Sequence, residues 1–401
     1  MELKQLIQEV KPEGSEDEAV ISQWVHAYHG GFKYFGQSRK VTRVKIKKAL
    51  IGEGILKADG KISPKSKKKY GIKPRKAPKF KFIDLFAGIG GMRLGFQEHG
   101  GVCVFSSEFE KNAQETYFEN HGDFPFGDIT KINPTAIPDH DVLLAGFPCQ
   151  PFSHAGLKLG IADTRGTLFH DIATILETKK PKVALLENVK GLLSHDKGFT
   201  LQTILQRMVQ LGYQCNIDKT LIINGSPRQL QEAAKHMVLR SIDFGVPQNR
   251  QRIFIVLWRD KKIHHFKYPE PLGIQTRVGD ILEDNPQQKY TISDKLWSGH
   301  RKRKDQNRIN GKGFGFGIVN AESKYTNTIS ARYYKDGSEI LVDQGGLNPR
   351  KITPLEAARL QGFPDDFIWN KSNVHVYKQF GNSVTVNVVK AVAEEIYKQI
   401  L

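Results

Sequence analysis

From Phe80 onward, apolar residues gather in short unbroken runs separated by glycine, proline and polar turns. Phe82–Phe86, Gly101–Ser106, Val142–Ala145, Val183–Leu186 and Ile253–Trp258 each read as a strand buried on both faces. The intervals show helical spacing: Met92–His99, Lys111–Asn120, a helix ending near Lys179, and Thr200–Leu211. Strand alternating with helix predicts an α/β fold with a doubly wound, mostly parallel sheet. After Trp258 the pattern changes. Asp260 to about Asn348 has short β-like pieces and many glycines, and predicts a smaller separate lobe. Near the C-terminus, Val384, Val388, Ala391, Val392 and Ile396 fall on one face of a packed helix.

Upstream of Phe80, Val20, Ile21, Trp24, Val25 and Tyr28 share one face of a predicted helix from Glu16 to Tyr28. A turn with Gly30, Gly31 and Gly36 follows. A second helix, capped by Ser38, runs to about Gly52 with Val41, Val44, Ile46, Ala49 and Leu50 inward. The chain thus divides into a helical unit over 1–56, a basic linker over 57–79 with Pro64, Pro74 and Pro78, a main domain over 80–260, a second lobe over 261–348, and a C-terminal segment over 349–401.

Composition adds a partner class. The 401 residues carry a net charge of +18, and Arg39 to Lys81 holds 17 Lys and Arg against Glu53 and Asp59. An excess so concentrated points to an anionic partner, first of all nucleic acid. The N-terminal unit reads equally as a small DNA-binding helix-turn-helix or as a solvated helical extension. Cys103, Cys149 and Cys215 are too widely spaced for a metal site or a disulfide framework, so a reducing cytoplasm and no metal are expected. No apolar run approaches a membrane span, and the N-terminus lacks a signal-peptide core.

The chemistry gathers at strand ends. The run Val142–Ala145 breaks at Gly146-Phe147-Pro148-Cys149-Gln150. Proline forces the chain out of the sheet there, and Cys149 lands on a loop at the carboxyl end of a strand, where open α/β sheets place ligands. An acid follows a second apolar run, at Glu187-Asn188. The first strand enters Ala87-Gly88-Ile89-Gly90-Gly91 and then a helix, a nucleotide-binding entry or a tight structural turn. Arg93 stands where a third glycine of the dinucleotide pattern is expected. Glu108 ends the second strand, where an acid can hold ribose hydroxyls. Asp128 is a reader of a purine edge or a turn cap. Arg250 and Arg252 share one face by strand alternation.

Six stretches together resemble, in order, the motifs of the DNA cytosine-5 methyltransferases of bacterial restriction–modification systems. They are Phe86-Ala87-Gly88-Ile89-Gly90-Gly91, Gly146-Phe147-Pro148-Cys149-Gln150, Glu187-Asn188-Val189, Gln248-Asn249-Arg250-Gln251-Arg252, Arg359-Leu360-Gln361-Gly362-Phe363-Pro364 and Gly381-Asn382-Ser383-Val384. The resemblance covers about Phe80 to Leu401. It implies methyl transfer from S-adenosyl-methionine to carbon 5 of a cytosine in a short double-stranded DNA sequence, with the base flipped out. A monomer and a companion restriction endonuclease are expected with it.

That chemistry needs an activated ring, because carbon 5 of cytosine is a poor nucleophile. A thiolate adding at carbon 6 makes an enamine whose carbon 5 attacks a methyl sulfonium; a base then removes the carbon 5 proton and the thiolate leaves. Cys149 is the nucleophile expected here. A free thiol, with a pKa of roughly 8.5, needs a neighbouring cation or helix N-terminus to ionise. Glu187 is expected to bind the exocyclic amine and, protonated, ring nitrogen 3, which requires the raised pKa that burial supplies. The resemblance implies that Arg252, with Arg250 beside it, orients Glu187 and the base. It also implies that Phe86 stacks on the cofactor adenine, that the turn from Ala87 through Gly88, Ile89 and Gly90 to Gly91 meets its amino-acid part, and that Glu108 holds the ribose next to Phe109. Asp128 and Ile129 then flank the adenine, and Pro148, Leu168, Asn382, Ser383 and Val384 complete the pocket.

The family places target recognition between the Arg250/Arg252 motif and the Gln361-Gly362-Phe363-Pro364 motif. DNA contacts are expected from Thr328, Arg332 and Tyr333, and from Gln150, Ser153 and Arg165 near the nucleophile. The cluster Arg301-Lys302-Arg303-Lys304 meets bases or only phosphates. The span Tyr213–Phe244 is longer than the family usually has. Asn224-Gly225-Ser226-Pro227 breaks it, and Arg228–Arg240 is expected as an inserted surface helix. RNA cytosine as substrate, or a non-catalytic DNA-binding regulator on the same fold, are the competing readings.

Overall fold

The computed structural model describes residues 21, 24, 47–69, 78–122, 125–148, 168–369 and 372–401. Cys149, Gln150, Ser153 and Arg165 lie outside the described residues, as does most of the N-terminal unit. Of the first predicted helix, Ile21 and Trp24 are described; both are helical and buried. Residues 47–52 are helical, as the second helix requires. The expected linker is structured in its first half. Leu56 bridges Ile62, both are buried, and a short helix α1 (Pro64–Lys69) follows. Ile55, Leu56 and Ile62 give that stretch an apolar side which its lysine content concealed.

The main sheet contains β1 (Phe80–Leu85), β2 (Gly101–Ser107), β3 (Val142–Gly146), β4 (Val183–Val189), β5 (Val238–Arg240) and β6 (Gln251–Trp258). Its order is β2-β1-β3-β4-β6-β5. The first four strands are parallel, and β6 runs antiparallel to both β4 and β5. The strand order reverses between β1 and β3, and such a switch point opens a crevice at the carboxyl ends of its strands. Helices α2 (Gly91–Glu98), α3 (Lys111–His121), α4 (Leu168–Lys179) and α5 (Phe199–Gln210) cover the sheet, in agreement with the apolar spacing.

The 225–240 stretch departs from expectation. Lys219–Asn224 forms α6 and Pro227–Ala233 forms α7, the latter with a Ser226–Gln229 capping box. The helix ends there, and Val238–Arg240 pairs with β6 as the edge strand β5. Leu230, Ala234 and Met237 are buried in the main core, so the stretch is part of the core and not a surface decoration. Pairing supplies partners for the backbone of β6 that a continued helix would have left open.

A second apolar core, built on Ile329, Tyr333, Ile352, Leu360, Phe363, Tyr377 and Phe380, joins the 261–348 lobe to the C-terminal segment. It contains a small sheet, β7 (Ile318–Val319), β8 (Leu341–Val342) and β9 (Arg350–Lys351), and a helix α8 (Asp294–Ile309) that the β-like reading missed. Only His300 of α8 is buried, which leaves almost no apolar period to read. Helices α9 (Pro354–Arg359), α10 (Asn373–Asn382) and α11 (Val386–Gln399) close the chain, and α11 packs on α2.

One buried ion pair locks the second core. Arg350 donates twice to the Glu356 carboxylate, at 2.7 and 2.8 Å, and Glu356 also accepts from the backbone N–H of Thr353 and of Glu283. Both side chains are buried. Glu356→Ala strands the Arg350 charge in the core, and equilibrium urea unfolding is expected to show a loss of about 3–5 kcal/mol. A loss below about 1 kcal/mol contradicts the lock.

Candidate active site

The crevice at the switch point is a cavity of ≈ 970 Å³. The ends of β1, β2, β3 and β4 form one side, and α10 with its following turn forms the other. Every residue expected at the cofactor lines it except Gly90: Phe86, Ala87, Gly88, Ile89, Gly91, Glu108, Phe109, Asp128, Ile129, Pro148, Leu168, Asn382, Ser383 and Val384. Glu187 and Arg252 line the same space.

The glycine turn is held by its neighbours. Phe86 leaves β1 with φ 54°, a strained backbone for a bulky residue. The Gly88 N–H donates to Glu108 Oε2 at 2.7 Å, and the Glu110 N–H to Glu108 Oε1 at 2.7 Å. Burial raises the Glu108 pKa, with these backbone donors opposing. A Cβ on Gly91 would lie 2.8 Å from Ser383 Oγ and 2.9 Å from Val384 Cγ2, so glycine there admits the C-terminal turn beside the first strand. Asp128 serves as a cap: its Oδ1 accepts from the N–H and the hydroxyl of Thr130, while it also lines the cavity.

Strand register brings Glu187 and Arg252 together. Glu187 pairs with Phe254 across β4 and β6, and Arg252 lies two residues from Phe254 on the same face. Arg252 Nε stands 3.3 Å from Glu187 Oε1. Glu187 is 8 % exposed, enough enclosure for burial to raise its pKa while Arg252 and Arg250 pull it down. Asn188 donates to the Phe147 carbonyl at 2.8 Å and ties the end of β4 to the end of β3, immediately before Pro148 and Cys149. Gly146 is the register partner of Glu187, and Gly146, Phe147 and Pro148 line the cavity directly before Cys149 in the sequence.

Two expectations are corrected. Arg250 is buried and its guanidinium is spent on backbone: Nη1 donates to Ile329 O at 3.1 Å, and Nη2 to Gly381 O at 3.1 Å and Ser383 O at 2.6 Å. It joins the second lobe to the C-terminal turn and, unlike Arg252, does not line the cavity. Tyr333 is fully buried; its hydroxyl donates to Ile340 O and accepts from Ile352 N–H, so it is core and not a DNA contact. Thr328 donates its hydroxyl to Asn249 O and is half-buried, and Arg332 is exposed.

The sequence reading missed Asp84, Lys378 and Gln379 in the cavity wall. Asp84 was detectable as a lone acid inside the apolar run Phe82–Phe86. It is buried, its Oδ2 has no partner among the described residues, and burial pushes its pKa well above the usual carboxylate value. Lys378 and Gln379 carried no signal before the position of α10 was known.

Residues 80–398 match the family model for C-5 cytosine-specific DNA methylase. The chain is 58 % identical over 320 residues to Type II methyltransferase M.NlaX of Neisseria lactamica, covering 79 % of this chain and 96 % of that protein. It is 40 % identical over 342 residues to Type II methyltransferase M.HhaI of Haemophilus parahaemolyticus, covering 81 % and 96 %. The S. pombe Dnmt2 methyltransferase structure superposes with a TM-score of 0.60 at 21 % identity, covering 79 % of this chain and 98 % of that one, a likeness of fold. With five of the six motifs contributing residues to one crevice and the family model spanning both cores, the chain belongs to the C-5 cytosine-specific DNA methylases and is an enzyme that methylates cytosine in DNA.

Proposed function

We propose that the enzyme methylates one cytosine of a specific short duplex sequence, flipped into the ≈ 970 Å³ cavity, with Cys149, Glu187 and Arg252 as its catalytic groups. The observation that carries this reading is the Glu187–Arg252 pair, 3.3 Å apart in the wall that holds the glycine turn. Cys149 adds at carbon 6 of the ring while protonated Glu187 donates to nitrogen 3, so negative charge does not build on the base. Arg252 keeps the Glu187 carboxyl in one orientation. After transfer, removal of the carbon 5 proton returns electrons to the ring, and the carbon–sulfur bond breaks to release Cys149.

The cavity lining suits a cationic methyl donor. The carboxyls of Asp84, Glu108, Glu110 and Asp128 line it opposite Lys378, and the Asp84 oxygen without a partner among the described residues offers a polar contact. S-adenosyl-methionine, when bound, supplies a methyl group on a sulfonium. Glu108 would take its ribose hydroxyls, Phe86 the adenine face, and Gly88, Gly91 and the Asn382–Val384 turn its amino-acid end. Residues 80–260 form the catalytic domain in this reading, 261–348 the recognition lobe, and 349–401 the segment that returns to the catalytic side. The enzyme acts as a monomer in a bacterial cytoplasm, alongside an endonuclease that cuts the unmethylated sequence. Binding of labelled S-adenosyl-methionine, lost in Glu108→Ala and kept in Cys149→Ser, tests the cofactor half of this proposal.

Duplex backbone contacts come from the exposed cations of the recognition lobe. Lys302 and Arg308 on α8, and Arg332, are exposed, while Arg303 is engaged by Asp336 at 2.9 Å. Each phosphate neutralised releases counterions and steepens the salt dependence. Raising salt from about 50 to 200 mM is expected to weaken DNA binding by roughly 10³-fold for about six phosphate contacts. Replacing Lys302 and Arg308 with alanine is expected to flatten the log–log slope by about 0.9 per contact, equally for cognate and non-cognate duplexes. An affinity indifferent to salt contradicts this surface.

A further inference from the structure

We infer that His121, the last residue of α3, shapes the glycine turn from behind and is a positioning residue for the methyl donor, an inference that rests on the cofactor site proposed above. Gly88 and Gly91 face the cavity, and Gly90 does not. Gly90 instead has φ +89°, and a Cβ built on it lies 2.0 Å from His121 Nε2 and 2.8 Å from His121 Cδ2. The space that a side chain at 90 needs is filled by the imidazole. Glycine at this position is therefore demanded by the protein and not by the ligand.

The imidazole has little room to withdraw. His121 is half-buried as a residue, but its Nε2 is sealed from solvent. Its ring packs on Tyr117, centroids 4.6 Å apart. Tyr117 is fully buried, and its hydroxyl accepts from Arg93 Nη1 at 3.0 Å. Arg93 is itself buried, at the position where the dinucleotide pattern has a third glycine. A column of Arg93, Tyr117 and His121 thus stands where a plain glycine turn would have left backbone against backbone. Burial and the nearby Arg93 charge hold the His121 ring neutral, the Ile89 backbone opposing, so the column adds no titrating cation beside the turn.

The α3 region grips the turn at two points. Ahead of the helix, Glu108 accepts from the Gly88 N–H; at its end, His121 abuts Gly90. Between them the Gly90 N–H donates to Ala87 O at 2.8 Å and closes the turn. Loss of either grip lets the Gly88 and Gly91 backbone drift from the geometry that meets a ligand, and tight positioning of this kind controls affinity.

The test is a double-mutant cycle on the full chain: wild type, Gly90→Ala, His121→Ala and the double variant. S-adenosyl-methionine affinity is read by calorimetry without DNA, and thermal midpoints are recorded for all four proteins. The strain of a positive φ at residue 90 is common to both backgrounds and cancels from the cycle. Gly90→Ala is expected to weaken binding about tenfold or more when His121 is present, and about threefold or less in the His121→Ala background. His121→Phe, which keeps the bulk, is expected to leave the full Gly90→Ala penalty in place. An equal penalty in the wild-type and His121→Ala backgrounds overturns the inference. If Gly90→Ala does not fold, its recovery as a folded protein by His121→Ala supports the inference, and failure to recover overturns it. If the wild type binds no S-adenosyl-methionine, the cofactor reading fails, while the coupling between the two sites in the thermal midpoints still decides for or against the steric mould.

Discussion

Glu187→Gln is expected to lower kcat about 10²- to 10⁴-fold, the usual worth of a positioned general acid, with a much smaller change in cofactor affinity. Glutamine keeps the shape and can still bind the edge of the base, but it has no acidic proton to give nitrogen 3. The loss should therefore fall on kcat more than on KM for DNA. The pH dependence gives a second reading. Burial outweighs the two guanidinium groups and raises the Glu187 pKa, so the protonated form persists above the ordinary glutamate range. Wild-type activity is expected to fall as pH rises through that raised pKa, and the variant should lack this alkaline limb. Stability moves in the same direction with pH. A raised folded-state pKa contributes stability that is complete below the unfolded pKa and is lost as pH rises through the folded one. Above that point the ionised carboxylate is a net cost that glutamine does not carry, so the variant should melt no lower than wild type. A Glu187→Gln enzyme with near-normal kcat, or with the alkaline limb intact, would mean that another group serves the ring.

Arg250→Ala is expected to be among the most destabilising single changes in the chain. The buried carbonyl oxygens of Ile329 and Gly381 lose their donor, and the part-buried Ser383 O is left with Gln361 Nε2 at 3.5 Å alone. Each buried acceptor left unpaired costs about 1–3 kcal/mol, so a total of about 3 kcal/mol or more is expected in urea unfolding. Lysine should not rescue it, because one ammonium cannot span the three acceptors that a planar guanidinium reaches. The damage should also reach function. Ser383 lines the crevice and Ile329 belongs to the second core, so Arg250→Ala loosens both at once. Cofactor affinity and DNA affinity should fall in parallel, without the selective loss of kcat expected of Glu187→Gln. Retention of wild-type stability would show that the arginine is not the clamp its hydrogen bonds indicate.

These two residues show what the sequence could and could not disclose. Glu187 was legible because an acid at the end of an apolar run must end beside whatever the crevice holds. Alternation put Arg250 and Arg252 on one face of the entering strand, and the resemblance singled out Arg252. Arg250, set beside it as a catalytic group by the resemblance, instead gives its guanidinium to carbonyl partners 79 to 133 residues away in the chain, which no local pattern reports. Tyr333 failed for a related reason. The resemblance of its segment to target-recognition regions suggested a contact surface, and only the packing of Tyr377 and the Ile340 and Ile352 backbone makes it core. The strands and helices of the sheet were readable because apolar runs report burial directly. Helix α8 was not, because it buries little more than His300 and offers no period. The stretch 225–240 was misread since an apolar face at Leu230, Ala234 and Met237 fits a surface helix and a core element equally until β6 needs an edge partner. Gly90 was assigned to the ligand with its neighbours, and the difference lies in His121, 31 residues further on.

The central claim is that this chain transfers a methyl group to carbon 5 of cytosine in one duplex sequence through Cys149. The most direct test incubates labelled S-adenosyl-methionine and unmethylated plasmid with the wild type and with Cys149→Ser, and then locates 5-methylcytosine by sequencing. The account predicts label transfer by the wild type alone, confined to cytosines that share one short context. Label transferred equally by Cys149→Ser, or cytosines modified without a common context, would contradict it.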